Sequence, residues 1–199
     1  MAPRKDVSEA RRAQILDAAA KVFARMGIHR ARMDDIVKES GLSKGALYWY
    51  FKSKDEIISA IITRFFDRET ENLSQLVSAP GSAKERLMLL DRAISQEVAS
   101  FFKNMPSTLE IYAVAARQQG LGAGLRRYFR KYRQGLADLL RQGVEAGEFR
   151  SMDVEETATN IIALYEGLML LTAVDSESIY WEGVSEHRAR LLLQGLLKE

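Results

Sequence analysis

The chain of 199 residues is 47% apolar and 28% charged, a globular balance that excludes a disordered polyelectrolyte and leaves room for one ordinary domain or a small module on a larger one. It has no cysteine, which excludes disulfides, thiolate metal sites and cysteine nucleophiles, and makes the cytoplasm the expected location. Net charge is only +2, yet residues 1–54 hold twelve Lys or Arg against six acids and the remainder seventeen against twenty-one, so a polyanion partner is expected for the head alone.

Proline is scarce and apolar residues recur at three and four, so the chain reads as all-α, with about nine helices. The first helix, from about Ser8 to Met26, carries Ile15, Ala18, Ala19, Val22, Phe23 and Met26 on one stripe, with Gly27 as a left-handed cap. A basic arm, Arg4, Lys5, Arg11 and Arg12, leads into it and can touch backbone or minor groove; for Arg4 and Lys5 a frayed terminus is the favoured reading. The second helix, Met33 to Ser40, opens on Asp34 and Asp35 and stops at Gly41. Leu42 then plugs a tight turn and Ser43 caps a third short helix, Lys44 to Tyr50, which completes a helix-turn-helix.

The third helix runs into four consecutive aromatics, Tyr48, Trp49, Tyr50 and Phe51, which cannot all face one core. Helical spacing turns Leu47, Phe51 and Tyr50 inward and leaves Lys44, Gly45, Tyr48 and Trp49 on the outer face. A recognition helix enters the major groove by its N-terminal end, so Lys44 can reach guanine acceptors, Gly45 permits close backbone approach and Ala46 can touch a thymine methyl. Tyr48 offers a hydroxyl to phosphate, while Ser43 and Lys54 sit beside helix N-termini and read as phosphate clamps.

Ser53 with Glu56 forms a capping box that opens a fourth helix running to about Val77; Ser82 with Glu85 and Ser107 with Glu110 open a fifth and a sixth. A seventh runs from about Ala123 to Ala146, with the glycines of GLGAG loosening its start, an eighth from Asp153 to about Val174 and a ninth from about Val184 to Leu197. The last two are apolar over more than one face, which predicts that they cover each other's copies in a homodimer, the alternative being a pair of central core helices in a monomer. No apolar run approaches the roughly 18 uncharged residues of a membrane span. The richest, IIALYEGLMLL at 161–171, carries Glu166 and reads as buried, so no membrane association is expected.

The head resembles the TetR (tetracycline repressor) family of one-component bacterial regulators, whose core pattern is matched by Gly41, Ser43, Gly45, Leu47, Tyr48, Tyr50, Phe51 and Lys54, with Ile15, Ala18, Phe23, Gly27 and Ile36 upstream. The likeness covers roughly residues 10 to 62; beyond them only the helix count and the apolar terminal pair agree. Where that family has Thr or Ser before the second helix, this chain has Ala31 and Arg32; Arg32 is read either as a substitute phosphate contact or as a plain surface arginine. The resemblance implies a helix-turn-helix DNA-binding domain at 1–54 and an effector-binding and dimerisation domain at 55–199. It further implies a homodimer on a double-stranded, palindromic operator, with repression relieved by an unknown small-molecule effector. Activation instead of repression stays open.

Within the larger domain, Phe65, Phe102, Tyr112, Phe129, Tyr132, Tyr165 and Met169 are candidates to line a pocket or to be plain core. Glu166 needs a partner or a path to solvent, whether a cationic ligand, an interface ion pair or an exposed edge. Arg126, Arg127, Arg130, Lys131 and Arg133 read as a solvated helix face that could also help hold an anionic effector. No metal or cofactor is expected: His29 and His187 stand apart, and GLGAG at 120–124 follows no strand. An enzyme with an unrecognised site and a protein-interaction module are the alternatives from other classes.

Overall fold

The computed structural model describes residues 4–104, 119–175 and 181–197, without the side chains of 4–6, 97–104, 119 and 181–186. Eight helices occupy the described residues: α1 (Arg4–Met26), α2 (Met33–Ser40), α3 (Lys44–Tyr50), α4 (Lys54–Ser78), α5 (Ala83–Asn104), α6 (Gln119–Glu145), α7 (Val154–Val174) and α8 (Trp181–Leu196). The helix expected to open at Ser107 with Glu110 lies outside the described residues.

Local capping chemistry sets most boundaries. The Gly27 N–H donates to the Phe23 carbonyl at 2.8 Å and Gly27 takes a φ of 78°, so α1 ends where a left-handed residue was expected. Gly41 (φ 68°) turns the chain between α2 and α3, and Ser43 Oγ accepts the Ala46 N–H. Ser40 locks that turn, accepting the Leu42 N–H on its hydroxyl and the Gln14 amide of α1 on its carbonyl. At α4 the box is shifted by one residue: Ser53 Oγ accepts the Glu56 N–H, but the Glu56 carboxylate takes the N–H of Lys52. At α5 it is reciprocal between Ser82 and Glu85, and Glu148 reaches across to accept the Ala83 and Lys84 N–H groups.

Two apolar clusters organise the chain. The head cluster joins Ile15, Ala19, Val22 and Phe23 of α1 to Ile36, Leu47 and Phe51, then to Ile57, Ile58, Ile61 and Ile62 of α4, and to Leu121 of α6. It therefore takes in residues beyond the boundary expected at 54. Burying each large side chain in it contributes about 1.5–3 kcal/mol. The body cluster packs Leu73 of α4 against Leu87, Leu90, Tyr132, Leu136, Leu139, Leu140, Phe149, Ala158, Ile161, Tyr165 and Leu196. Helix α6 begins four residues before the expected start, since Leu121 and Leu125 pack on the head and hold helical a stretch that Gly120 and Gly124 would loosen. Its other end needs glycine for contact: a Cβ on Gly143 would lie 2.2 Å from the Phe149 ring.

By length and composition helix α7 is apolar enough to cross a membrane, with a mean hydropathy of 1.4 over an 18-residue window that Glu166 interrupts; the expectation it corrects is that of a buried helix. It is used here as a bundle helix. Val154, Ala158, Ile161 and Tyr165 bury one face in the body, while Leu164, Leu170, Leu171 and Val174 on α7 and Leu191 on α8 are exposed.

Candidate nucleic-acid interface and effector cavity

Leu47 and Phe51 are fully buried and fix α3 in the head, while Lys44, Gly45 and Trp49 are exposed, Trp49 to 68%. Four adjacent aromatics are thus divided: Phe51 is core, Tyr48 and Tyr50 are half-buried braces against the head cluster, and Trp49 projects outward with its ring edge-on to Tyr50 at 4.6 Å. Arg12 of α1 lies 4.4 Å over the Phe51 ring, so this part of the basic arm supports the core. A Cβ added at Gly45 would meet nothing, and its φ is ordinary. Nothing inside the fold asks for glycine there; the close approach it permits would be from outside.

Lys44 forms an exposed 2.7 Å ion pair with Asp34 of α2. Their hydrogen bond and mutual attraction hold the Asp34 carboxyl below, and the Lys44 ammonium above, their ordinary values. Sequence reading did not foresee this pair. Arg32 stands at the N-cap of α2 and has no acceptor to offer, so the cap keeps one half: the Arg32 N–H donates to Asp35 Oδ2 at 2.9 Å and the guanidinium is exposed. Ser43 caps α3 as expected, and half-buried Ala46 lies in its first turn. Lys54 differs, because its ammonium turns inward to the carbonyls of Ile28 (2.7 Å), Ala31 (3.0 Å) and His29 (3.4 Å). It staples the α1–α2 turn, and the expected phosphate clamp is narrowed to its backbone N–H.

The body encloses a cavity of about 70 Å³ between α4, α5, α6 and α7. Six of the candidate residues meet there: Phe65, Phe129, Tyr132, Tyr165, Glu166 and Met169. Phe102 and Tyr112 fall outside the described side chains. Missed by sequence reading were Phe66, Tyr128 and, above all, Glu69, a buried acid on the cavity wall hidden in the polar run Asp67 to Asn72. Phe66 stacks on Tyr128 at 4.2 Å, and Tyr128 lies 5.2 Å from Phe129 and 5.5 Å from Tyr132. Burial first, then the fields of Glu69 and Glu166, hold the Tyr132 phenol far above its ordinary range.

Tyr165 connects the cavity to α8. Its hydroxyl donates to Asp91 Oδ1 at 2.5 Å, and the same oxygen accepts Arg188 Nε at 3.0 Å and Nη2 at 2.8 Å. The guanidinium also covers the Tyr165 ring at 4.3 Å, a buried network from three helices. The five basic residues of α6 are exposed, as a solvated face should be.

Residues 15–61 match the model of "bacterial regulatory proteins, tetR family", and residues 83–198 that of the C-terminal part of the BetI-type transcriptional repressors. An uncharacterised helix-turn-helix transcriptional regulator of Bacillus subtilis (strain 168), YfiR, is 28% identical over 205 residues, covering 100% of this chain and 98% of that one. A transcriptional regulator from Saccharomonospora viridis solved with choline shares the fold at a TM-score of 0.76 and 22% identity, over 96% of this chain and 100% of the other. So does the regulator FadR from Bacillus subtilis with stearoyl-CoA, at a TM-score of 0.67 and 23% identity, over 92% and 98% of the two chains.

Proposed function

The chain belongs to the tetR family of bacterial regulatory proteins and is a ligand-responsive transcriptional regulator, and from that premise we propose that it represses as a homodimer on a palindromic operator and lets go when a small molecule fills the α4–α7 cavity. It works in the cytoplasm, on the chromosome, by binding and not by catalysis. The observation that carries this reading is the outer face of α3: a cation, a side-chain-free backbone and an exposed Trp49 on a helix pinned from behind by Leu47 and Phe51.

In this reading α3 lies in the major groove. Lys44 leaves Asp34 for base acceptors, Gly45 and Ala46 face the base edges, and Ser43, Tyr48, Trp49, Arg32 and the Lys54 backbone face sugar and phosphate. The exposed apolar residues of α7 and α8 pair with their copies about a twofold axis, which makes the two half-sites inverted repeats. Helix α4 carries the signal, since Ile57 to Ile62 belong to the head cluster while Phe65, Phe66 and Glu69 line the cavity. A ligand acts only through preferential binding to the head spacing that misses the operator. Choline and stearoyl-CoA, found in two proteins of this fold, have little chemistry in common. The effector must therefore be read from this cavity's own residues.

Equilibrium binding to duplexes from the DNA flanking the chain's own gene, against random duplex and across a salt series, tests the reading. Expected are a footprint of two inverted half-sites, a steep salt dependence of about −0.9 in log–log slope per phosphate contact, and weakening by Lys44→Ala. Binding no tighter than to random duplex, for every fragment of a genome-wide selection, would remove it.

A further inference from the structure

An acid on a surface that meets DNA faces a field of phosphates and needs a reason to be there. We propose that Asp34 is a second base reader: as Lys44 bonds to a guanine, the Asp34 carboxylate accepts from N4 of the cytosine paired with it, so that α2 and α3 together read one G·C pair in each half-site. This rests on the reading of α3 as the helix in the major groove.

Asp34 and Asp35 stand side by side in the first turn of α2 and do different things. Asp35 accepts the Arg32 N–H at 2.9 Å and so caps the helix, whereas Asp34 reaches across to α3, its Oδ1 2.7 Å from Lys44 Nζ. The Asp34 side chain is 62% exposed and that of Lys44 63%, and an ion pair so exposed adds little to stability. The dipole of α2 favours an acid in its first turn but does not aim it at the next helix. Folding therefore leaves the contact unexplained. Lys44 is the first residue of α3, at the end that enters the groove, so a carboxylate 2.7 Å from its ammonium stands at the groove as well. Lys38 and Arg32 add their fields to that of Lys44 in keeping the carboxyl ionised.

An ionised carboxylate only accepts hydrogen bonds, and the donors on the major-groove edge are cytosine N4 and adenine N6. Lys44 decides between them. A lysine donates to guanine O6 and N7, and O6 is bonded within its own base pair to the cytosine N4 amino group, about 3 Å away. Two side-chain atoms 2.7 Å apart thus match, in spacing and in sign, two atoms that are neighbours on one G·C edge. Turning from Asp34 to O6 keeps the ammonium close to the carboxylate it leaves, and that carboxylate gains the free N4 hydrogen. An A·T pair in the same place would set thymine O4 against the carboxylate, and the reversed C·G pair would exchange donor and acceptors.

Duplexes selected by the full chain from a randomised pool supply the test. Each base pair of the selected site is then changed, and binding of wild type and of Asp34→Ala is titrated by fluorescence anisotropy, with helical circular dichroism as proof that the variant folds. For wild type, one G·C pair per half-site should resist change, at a cost of at least about tenfold for A·T in its place. Replacing its cytosine by pyrimidin-2-one, which lacks the 4-amino group, should cost a similar factor. Asp34→Ala should cut both costs to about twofold or less, and should bind random duplex more tightly because an acid has left the field of the phosphates. An acid that merely shields Lys44 or repels DNA gives a different result, affinity raised alike for all duplexes with discrimination unchanged, and that result overturns the proposal. So does a pyrimidin-2-one cost that survives Asp34→Ala, or a lost preference that falls on an adenine. A selected site of inverted half-sites that Lys44→Ala weakens, with discrimination untouched by Asp34→Ala, keeps α3 in the groove and removes Asp34 alone. A pool from which no site is enriched removes the reading and the proposal together.

Discussion

Asp91→Leu should be among the most damaging single substitutions in the body, and adding Arg188→Met should repair it. One carboxylate oxygen accepts from the Tyr165 hydroxyl and twice from Arg188, whose side chain is 2% exposed against 9% for Asp91. Leucine keeps the branched shape but leaves a guanidinium buried beside an apolar group, a change that costs about 3–5 kcal/mol. For a chain of this length each kcal/mol lowers Tm by about 2–4 °C, so the single variant should melt roughly 6–20 °C below wild type. Replacing both partners removes the stranded charge along with the attraction but leaves the Tyr165 hydroxyl without its acceptor, so the double variant should regain most of the loss and end within about 1–3 kcal/mol of wild type. Thermal melts by circular dichroism at one fixed protein concentration measure this, fixed because self-association shifts Tm. A single-variant loss under about 1 kcal/mol, or a double variant as damaged as the single, would refute the reasoning that the pair is held by mutual need.

Leu191→Glu puts a charge on the exposed apolar face of α8, and sedimentation should show monomers of unchanged helicity that lose operator binding; an intact dimer would move the interface elsewhere. Lys54→Met should lower stability by about 1.5–3 kcal/mol, through carbonyls that lose a charged donor, and leave the salt slope of DNA binding unchanged. Arg32→Ala should do the reverse, with the slope reduced by about 0.9 and Tm almost unmoved. Gly143→Ala drives a methyl into the Phe149 ring and should cost about 1–3 kcal/mol in urea unfolding, whereas a neutral result would mean that the ring has somewhere else to go. Tyr132 and Tyr165 keep their protons far above the ordinary value of 10.0 because burial disfavours the phenolate. The unfolded chain ionises first, so stability is whole below that pH and falls above it, by up to about 1.4 kcal/mol per pH unit for each tyrosine. Tyr132→Phe should flatten that alkaline fall in Tm, and an unchanged slope would count against the buried phenol.

What was legible in the sequence was what is local. Ser43, Ser53 and Ser82 bond to N–H groups three residues on, and Gly27 and Gly41 take conformations their own backbone dictates, so α1 to α5 were located to within a few residues. Leu47 and Phe51 were readable as inward because spacing along one short helix decides it. The partnerships that escaped reading join distant residues. Arg188 meets Asp91 from 97 positions away, Lys54 turns back 23 to 26 positions to the α1–α2 loop, and Leu121 leaves its own domain to complete the head. Glu69 was missed for a subtler reason. In a run of charged residues one acid looks like any other, and only the rotation of α4 against α6 selects the one that is buried.

The head cluster takes in side chains from two helices of the body, α4 and α6, and both continue from it to the cavity wall. A head carried by α4 alone could swivel and twist like a knob on a stalk. Gripped by two helices, it cannot swivel about one of them without straining its contacts with the other. In the proposed dimer, a guest that displaced both helices together would change the angle between the two heads. Two reading heads coupled in that way would act as a caliper, set for an operator whose half-sites match one opening and not another.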